Sequence, residues 1–481
     1  MQFTSVAFLL FLPIVFLLYY IFFDKNKNQQ NALLLLASCV FYASWDWRFL
    51  FLLFFSIVSN YILGLCIEKT SSKKKYLLIA LLLNIGVLAY FKYFNFFLES
   101  FSSMLSVFGV EAGFHSLNII LPLGISFYTF HGLSYVIDIY NKKISPTRNF
   151  VDYSLFLSYF PLLVAGPIER ANHLLPQLKE KRSFAYLNVT EGLKQILWGF
   201  FKKVAVADVC ARIVDPIFAN YQEMSSFMLV LGAFFFAIQI YCDFSGYSDI
   251  AIGVSRMFGI KLLRNFNYPY FSRNIAEFWR RWHISLSSWF RDYLYIPLGG
   301  SHEGMAKQIR NIIVVFLITG FWHGANWTFL VWGGLNTVYM LPSVVLRKNR
   351  RYVGTIAENR ILPTVLEASQ ILLTFVLVTV AWVFFRSESV GMSLDYFRLM
   401  FIDASFDLTA VFNKMVEYRD VFFVVTVVFV LEWFARNKQF ALENFGKSIP
   451  RIFRFVVYAL LLIYIGGEFG DQASNFIYFQ F

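Results

Sequence analysis

Uncharged apolar stretches alternate with short charged loops along almost the whole chain. Many of these stretches approach or exceed the roughly 20 residues that a helix needs to cross the hydrocarbon core of a bilayer. The predicted spans are Phe3–Phe23, Asn31–Ser44, Trp47–Ile67, Tyr76–Phe97, Ile119–Tyr140, Ser226–Gly253, Pro363–Phe385, Val421–Phe434 and Ile452–Gly467. The first has no basic start and no small-residue cleavage site, so we expect a span and not a signal peptide. The pattern predicts an all-α protein that crosses a membrane many times.

Two segments combine apolar residues with charge in a way that does not fit a simple span. Val151–Ile168 has charged residues beyond its ends and contains Pro161 and Pro167. We expect a re-entrant segment that enters and leaves on one face of the membrane. Leu193–Ile213 carries lysines and an aspartate within its apolar pattern. We expect it to be an interfacial or steeply tilted helix.

The pattern of residues 279–293 predicts an in-plane helix, and that of residues 311–341 predicts a long apolar helix. Large apolar side chains recur at spacings of three and four, at Trp279, Trp282, Leu286, Trp289 and Tyr293. Such a face is typical of a helix lying in the membrane surface. Asn311–Leu341 has no charged residue and would be about 45 Å long as one helix, longer than a core of about 30 Å. It must tilt steeply or break near His323, and basic flanks favour the break.

Loop charge predicts the orientation, because basic residues concentrate in cytoplasmic loops. On this basis Glu68–Lys75 and Arg436–Arg454 lie inside, whereas Leu98–Asn118 and Arg386–Asp420 lie outside. The same reasoning places both termini outside.

Composition agrees with a membrane protein, since 58% of residues are hydrophobic and only 15% are charged, against about 25% charged in soluble proteins. The net charge of +12 lies in loops. It does not form the basic face of a soluble domain, so we expect membrane lipid and no nucleic acid as a partner. No repeat or linker divides the chain. Residues 1–481 are therefore predicted to form one membrane-embedded domain.

The cysteines and most histidines do not suggest a metal or redox site. No two cysteines form a Cys-x-x-Cys pair, and we expect reduced packing residues at Cys39, Cys66, Cys210 and Cys242. Four histidines lack any ligand-like spacing, namely His115, His131, His173 and His302. We therefore expect no metal.

His323 is the first candidate for chemistry. It lies within Gly320–Trp327, inside the uncharged segment, and ionisable groups at membrane depth are expensive and often functional. An imidazole can take a proton from a hydroxyl and return it to a leaving group. The alternative is a histidine hydrogen-bonded between packed helices.

His283 is the second candidate, where the predicted in-plane helix meets Arg280 and Arg281. It is either a second functional imidazole or an interfacial histidine beside its arginines.

A polar cluster interrupts the apolar run of residues 239–249. It places Ser245 and Tyr247 between the carboxylates of Asp243 and Asp249. Buried carboxylates must pair, accept hydrogen bonds or line a wet cavity. Hydrogen bonding between helices explains the hydroxyls, and explains the aspartates less well.

Five motifs together resemble a known superfamily. They are RRWHISLS at 280–287, GFWHG at 320–324, YCDFSGYSD at 241–249, RDYLYIPLGG at 291–300 and AGPIER at 165–170. The chain resembles the membrane-bound O-acyltransferases, and within them the bacterial branch that modifies cell-surface polysaccharides. That branch includes the alginate and peptidoglycan O-acetylation membrane proteins and, more distantly, the teichoic-acid D-alanylation membrane protein. The likeness covers almost the whole chain, with its central motifs in residues 239–327.

The resemblance implies a fold and an activity. The fold is a helical bundle with re-entrant and in-plane helices around a central tunnel in a bacterial inner membrane. An acetyl group would pass from a cytoplasmic thioester, acetyl-CoA, toward a polysaccharide outside, with a serine-hydrolase-like transferase as extracytoplasmic partner. His323 matches the superfamily's near-universal histidine, and His283 the second motif position, where some members carry Asn. We expect the tunnel lining or donor site at Asp243, Ser245, Tyr247, Asp249, Arg281, Trp282, Trp322 and Asn326.

The C-terminal tail, residues 476–481, has four aromatics in six positions. One interpretation is an aromatic belt at the outer headgroups. The other rests on the spacing Phe-x-Tyr-x-x-Phe, which resembles the C-terminal motif of the small partner protein in teichoic-acid D-alanylation. That resemblance implies that Tyr478 carries the acyl group in a covalent relay with His323.

Two other functions fit some of these features. A transporter of a lipid-linked sugar or acyl donor also has polar groups and broken helices within the membrane. Internal inverted repeats would favour a transporter, and we find none in the sequence. A non-catalytic scaffold of a polysaccharide synthase would retain its function without His323.

Overall fold

The computed structural model describes residues 1–22, 26–110, 116–164, 166–401, 407–446, 449–470 and 476–477. Helices dominate these residues, and no strand occurs among them. The chain divides into two compact units, one of residues 1–190 with 254–263 and one of residues 191–253 with 264–481. The expectation of a single domain over 1–481 stays a prediction.

Unit 1 contains nine α-helices within its described residues. They are α1 (Val6–Leu17), α2 (Lys27–Asp46), α3 (Phe49–Lys69), α4 (Lys73–Leu88), α5 (Phe94–Val107), α6 (Ile125–Tyr140), α7 (Phe150–Ser158), α8 (Phe160–Leu163) and α9 (Ala171–Leu178). Helix α6 packs on α3 and α4, and α2 packs on α7. Almost every residue of α6 is buried, so its apolar sequence forms the centre of this unit.

Unit 2 begins inside α10 (Tyr186–Phe200), which continues through a π-helical segment, Phe201–Ala207. The remaining helices are α11 (Asp208–Ala219), α12 (Ser226–Met257), α13 (Ile275–Arg281), α14 (Ile284–Phe290), α15 (Met305–His323), α16 (Trp327–Val345), α17 (Val365–Arg386), α18 (Val390–Phe401), α19 (Leu408–Glu417), α20 (Arg419–Phe434) and α21 (Arg451–Glu468). The last turn of α12 belongs to unit 1.

Six helical runs of the described chain are long and apolar enough to cross a membrane, at Phe49–Lys69, Lys73–Val107, Ser226–Met257, Met305–His323, Trp327–Val345 and Val365–Arg386. The expectation of an all-α, polytopic membrane protein is thereby confirmed. The break near His323 is confirmed as well, because α15 ends there and α16 returns as the second arm of a hairpin. Each arm has 19 residues, about 28 Å of helix.

One sequence-based expectation needs correction. The helix predicted over residues 279–293 is two helices, α13 and α14, because Trp282 and His283 leave the helical conformation. Its large apolar residues at 279, 282, 286 and 289 are buried in protein. The lysines of Leu193–Ile213 are buried in protein, since Lys202 and Lys203 are 2% and 0% exposed, and an interfacial or steeply tilted position of this helix stays a prediction. Ion pairs satisfy the charges that suggested contact with water.

The segment predicted to be re-entrant forms two short helices, α7 and α8, which meet at Tyr159. Their residues from Asp152 onward are buried, and Pro161 lies in the first turn of α8, where proline is tolerated because an N–H there would lack an intrahelical partner. The broken backbone agrees with the expectation, and entry and exit on one membrane face stay a prediction.

Candidate active site

His323 is the last residue of α15 and lies at the closed end of the α15–α16 hairpin. Glycines allow the two helices to approach closely there. A Cβ atom at Gly320 would overlap the carbonyl oxygen of Phe329, and one at Gly333 would overlap the carbonyl oxygen of Phe316. The glycines therefore serve backbone contact within the hairpin.

Aromatic rings surround the His323 imidazole, which is 4% exposed. Its centroid lies 4.9 Å from the ring of Trp322, 5.2 Å from Trp332 and 5.3 Å from Phe385. The ring of Trp322 also lies 6.1 Å from that of His283. The two histidines, forty residues apart in sequence, thus both lie near the same indole.

His283 joins α13 to α14 in a left-handed conformation, with φ 43° and ψ 54°. A non-glycine residue rarely adopts these angles, and such residues cluster at functional sites. Its side chain is 1% exposed and packs edge-on against Phe244, with ring centroids 4.6 Å apart. The turn therefore directs the imidazole into the protein.

Asn265 fixes the tautomer of this imidazole. Its Oδ1 lies 2.9 Å from His283 Nδ1 and accepts a second hydrogen bond from the Ser285 hydroxyl. Its amide nitrogen donates to Ser248 Oγ at 3.2 Å. With Oδ1 as an acceptor, Nδ1 must carry the proton and Nε2 the basic lone pair. Burial lowers the pKa of His283 to about 3, which keeps the ring neutral. Nε2 has no hydrogen-bond partner among the described residues.

Two successive lysines of the π-helical segment form buried ion pairs with different carboxylates. Lys202 Nζ lies 2.7 Å from Asp249 Oδ2, 3.8 Å from Glu432 Oε1 and 2.8 Å from Ser245 Oγ. Glu432 also accepts a hydrogen bond of 2.7 Å from the Tyr241 hydroxyl. Buried charges persist only when paired and hydrogen-bonded. Part of the polar cluster of residues 239–249 is therefore an ion network.

Lys203 forms the second network. Its Nζ lies 2.7 Å from Asp208 Oδ1 and 2.8 Å from Asp243 Oδ1. The other oxygen of Asp243 accepts a hydrogen bond of 2.7 Å from the backbone N–H of Ile477. This carboxylate therefore connects the lysine to the C-terminal tail.

The described part of the tail is buried beside the second histidine. Phe476 and Ile477 are 0% and 1% exposed. The ring of Phe476 lies 4.3 Å from that of Tyr247 and 6.0 Å from that of Phe244, and Phe244 itself contacts His283. These two residues do not form part of an exposed aromatic belt. Tyr478 lies outside the described residues.

The other predicted site residues have different surroundings. Trp282 packs among the rings of Phe266, Phe278 and Trp382. Arg281 pairs with Glu277 at 2.8 Å and donates to the Gly354 carbonyl oxygen. Asn326 caps α16 through the Thr328 N–H and donates to the Glu388 carbonyl oxygen. In the described chain these contacts support the fold around the histidines, and a role in binding the donor stays a prediction.

A polar pocket adjoins the Lys202 network and has a cavity volume of about 20 Å³, room for about one water molecule. Its lining includes two of the predicted residues, Ser245 and Asp249, together with Asn265. Several lining atoms form no hydrogen bond within the described chain, among them Gln195 Oε1, Trp198 Nε1, Arg264 Nη2 and Tyr268 OH. The pocket offers both donors and acceptors to a polar ligand.

Sequence reasoning missed four members of the site, Lys202, Lys203, Asn265 and Glu432. The two lysines had a usable signal, because charge inside an apolar pattern requires a partner, and the aspartates of residues 239–249 were available. Asn265 had none, since an asparagine between helices is ordinary. Among the described residues, no group of three or more His, Cys, Asp or Glu side chains forms a candidate metal site.

Comparison with known proteins gives one family and a consistent set of relatives. The family model of the membrane-bound O-acyltransferases matches residues 50–383. A probable alginate O-acetylase, AlgI, from Pseudomonas aeruginosa is 38% identical over 456 residues, which cover 94% of this chain and 84% of that protein. The peptidoglycan O-acetyltransferase of Helicobacter pylori is 39% identical over 422 residues, 81% of this chain and 77% of that protein.

A more distant relative covers part of the chain. The teichoic acid D-alanyltransferase of Bacillus subtilis is 29% identical over 249 residues, 49% of this chain and 62% of that protein.

Proposed function

This chain belongs to the membrane-bound O-acyltransferase family, and from that premise we propose that it moves an acetyl group from a thioester to a polysaccharide outside the membrane. The relatives are named for O-acetylation of alginate and of peptidoglycan. The observation that carries the proposal is the pair of buried imidazoles, His283 and His323, whose ring centroids lie 6.1 Å and 4.9 Å from that of Trp322. The donor in this proposal is acetyl-CoA on the cytoplasmic side.

The chemistry needs one base and one acid, and an imidazole serves as both. The acceptor oxygen attacks the carbonyl carbon, the new C–O bond forms and the C–S bond breaks. The hydroxyl proton moves to the imidazole and then to the departing thiolate, so the transfer involves no net proton change. We assign the base to His323. His283, held neutral with Nε2 unprotonated, is the second imidazole beside the reacting groups.

The polar pocket supports a place for the donor. The arm of an acyl-CoA carries amides, each with one donor and one acceptor, which match the Gln195, Trp198 and Arg264 atoms of the pocket lining. Asn265 belongs to the same lining and contacts His283. We propose that one amide of the arm contacts these atoms, with the thioester toward the histidines.

The tail supports a covalent relay within this proposal. Phe476 and Ile477 are fixed by Tyr247 and Asp243, one ring away from His283. Tyr478 follows directly. A phenol with a pKa near 10 is easier to deprotonate than a sugar hydroxyl, and its ester is a better acyl donor for the next step. The acetyl group passes from sulfur to the Tyr478 oxygen and then to the acceptor or to an extracytoplasmic serine-hydrolase-like partner.

The proposal is tested with the purified full-length protein in lipid vesicles and acetyl-CoA labelled in its acetyl group. We expect release of free CoA thiol, with the label in an O-acetyl ester on protein or added glycan. The vesicles should include a preparation without glycan, because the relay predicts protein labelling there. An intact thioester in all preparations, and normal polymer acetylation in cells without this chain, would refute the function.

The orientation is tested by cysteine labelling. Ser72 and Ser116 are both exposed, and the charge bias places Ser72 inside and Ser116 outside. In a background without the four native cysteines, an impermeant thiol reagent added to intact cells should modify Ser116→Cys but modify Ser72→Cys only after lysis. Modification of Ser72→Cys in intact cells would reverse the assignment.

Asn265→Asp should introduce a dependence on acidity near neutral pH. A carboxylate facing Nδ1 stabilises the imidazolium and raises the pKa of His283. Since the neutral ring is the active form, the rate then falls as the pH drops below the raised pKa. The acid limb of the kcat/KM profile should move upward into the range of about pH 5–8.

The control for this variant is Asn265→Ala, which loses the hydrogen bond and adds no charge. It should lower the rate without raising the acid limb. A profile of Asn265→Asp that superimposes on that of the wild type would exclude Asn265 as a positioning residue for His283.

A further inference from the structure

A cationic loop joins the two candidate spans α16 and α17. Both helices are long and apolar enough to cross a membrane, so residues 346–364 lie where both helices leave it. Most of residues 347–351 are cations, and all of these cations are exposed, namely Arg347, Lys348, Arg350 and Arg351. Loop charge predicts the cytoplasmic side for them. The loop therefore presents concentrated positive charge at the level of the lipid headgroups.

These cations have few anions near them in the protein. Glu358 is the only acidic residue between positions 346 and 366. Glu367, the next one, pairs with Arg360 at 2.9 Å and with Arg273 at 3.5 Å. Within the described residues, no ion pair joins a carboxylate to the side chain of any of the four cations. Their charge is therefore available to an anion outside the chain.

Exposed apolar side chains border the cationic run. On the side of α16 they are Val345 and Leu346, which are 54% and 61% exposed. The others are Val353, Ile361, Leu362, Val365 and Leu366. Apolar side chains enter the hydrocarbon edge of a bilayer, while lysine and arginine reach its headgroups. The arrangement fits an anionic bilayer surface, whereas a soluble anion would match the cations alone.

Two arginines of α13 fix the backbone of this loop. Arg280 donates to the carbonyl oxygens of Asn349 at 2.6 Å and of Tyr352 at 2.7 Å. Arg281 donates to the carbonyl oxygen of Gly354 at 3.2 Å. Asn349 lies in the middle of the cationic run, so the run is attached directly to the end of α13.

The same two arginines precede His283 by three and two positions. The backbone carbonyl of Arg281 accepts a hydrogen bond of 2.9 Å from the Asn267 N–H, and its guanidinium donates to the Asn267 carbonyl oxygen at 3.2 Å. Asn265, two residues earlier, holds the His283 imidazole and accepts from the Ile284 N–H. Hydrogen bonds therefore connect the loop, through α13, to the turn that carries His283.

Like charges act against the contacts of Arg280. Burial lowers the pKa of Arg280. The carboxylate of Glu277 opposes this shift, whereas three positive charges add to it, those of Arg281, Arg273 and Arg350. Arg350 belongs to the exposed run, so an anion bound there reduces its repulsion of Arg280. A bound anion therefore stabilises the charged guanidinium and the hydrogen bonds that it donates.

We propose that the α16–α17 loop binds the phosphate groups of anionic phospholipids, and that a bound headgroup stabilises the arginine contacts that place His283. The lipid binding stands on the loop itself, whereas its effect on transfer rests on the proposed function. Arg280 and Arg281 are positioning residues in this scheme, since they act through His283. Without anionic lipid, the protein should bind its donor normally and transfer acetyl slowly.

Binding is tested with the full-length protein in phosphatidylcholine vesicles that contain a trace of phosphatidylglycerol with a diazirine on its headgroup. We expect crosslinks at residues 345–353. Lys348→Gln combined with Arg350→Gln should weaken them about tenfold or more, because each cation near an anionic surface adds about fivefold to binding. The matched control, Lys74→Gln with Lys75→Gln, removes two exposed cations at the start of α4 and should retain them.

The coupling to His283 is tested by measuring kcat and KM for acetyl-CoA in phosphatidylcholine alone and mixed with phosphatidylglycerol. The kcat of the wild type should be about fivefold or more higher in the mixture. The double variant lacks both the lipid-binding charge and the repulsion from Arg350. Its kcat should not depend on the lipid and should be no lower than that of the wild type in phosphatidylcholine alone. Arg350→Lys keeps the charge and should retain the dependence.

Each part of the proposal has results that would overturn it. Equal crosslinking by a phosphatidylcholine probe with the same diazirine, or crosslinks that persist in the double variant, would overturn the lipid site. A KM raised by the double variant in both vesicles would also do so, and would assign the cations to the donor's phosphates. A wild-type kcat that does not change with the lipid, or a double variant slower than the wild type in phosphatidylcholine alone, would overturn the coupling. If no vesicle supports transfer, the proposed function fails and the crosslinks decide the lipid site.

Discussion

Acetyl transfer by His323→Ala is expected to fall by about 10²–10⁴-fold, the usual cost of losing a general base. The residue ends α15, and the rings of Trp322, Trp332 and Phe385 beside it belong to neither ion network. Its replacement therefore removes the proton acceptor and leaves the ion networks of Lys202 and Lys203 in place. The measurement is thiol release and label transfer in vesicles, together with polymer acetylation in cells.

Two further variants serve as comparisons for His323→Ala. His323→Gln retains a side chain that forms hydrogen bonds but cannot accept the proton, and should be as inactive as the alanine variant. His302→Ala removes an exposed histidine and should have wild-type activity. Near-normal acetylation by a stably inserted His323→Ala protein would exclude this histidine from the mechanism and favour a scaffold.

Loss of the Tyr478 hydroxyl is expected to stop the overall transfer, because the relay has no other oxygen to carry the acetyl group. Tyr478→Phe retains the ring and removes only the phenol. Truncation after Asn475 also removes Phe476 and Ile477, which are buried against Tyr247 and Asp243. Mass spectrometry of the tail peptide after incubation with labelled acetyl-CoA should find the label on Tyr478 in the wild type.

The matched control is Tyr339→Phe, which removes a phenol from α16 at a half-buried position away from the histidines. It should retain activity. Asp243→Asn weakens the anchor of the tail and should lower the rate without abolishing labelling. Full activity of Tyr478→Phe would eliminate the relay and leave direct transfer from the thioester.

The sequence by itself determined the fold class and drew attention to the two histidines, and each of the six helical runs of the described chain that can cross a membrane overlaps one of its predicted apolar segments. These follow from local physics. An uncharged run of span length is read as a membrane helix, and a histidine inside it is costly and therefore a candidate for function. The break at His323 was predictable for the same reason, because Asn311–Leu341 is too long for one crossing. Residues 280–287 and 320–324 indicated the family before any contact was known.

Only the tertiary structure decided which polar residues meet. The periodicity of residues 279–293 does not show that Trp282 and His283 leave the helix, because packing against α12 and α16 outweighs local preference. Similarly, the sequence shows charge at Lys202 but not its partner Glu432, which lies 230 positions away and 3.8 Å from it. Pairing across such separations depends on how helices pack, and no local pattern records it.

The C-terminal tail shows most clearly which properties come from the sequence and which come from the tertiary structure. Its aromatic spacing was visible in the sequence, and the resemblance suggested a role for Tyr478. The burial of Phe476 and the hydrogen bond from Ile477 to Asp243 come from the folded protein. A short terminal segment has no amphipathic period that predicts its direction, so its position is set by the carboxylate and rings that receive it.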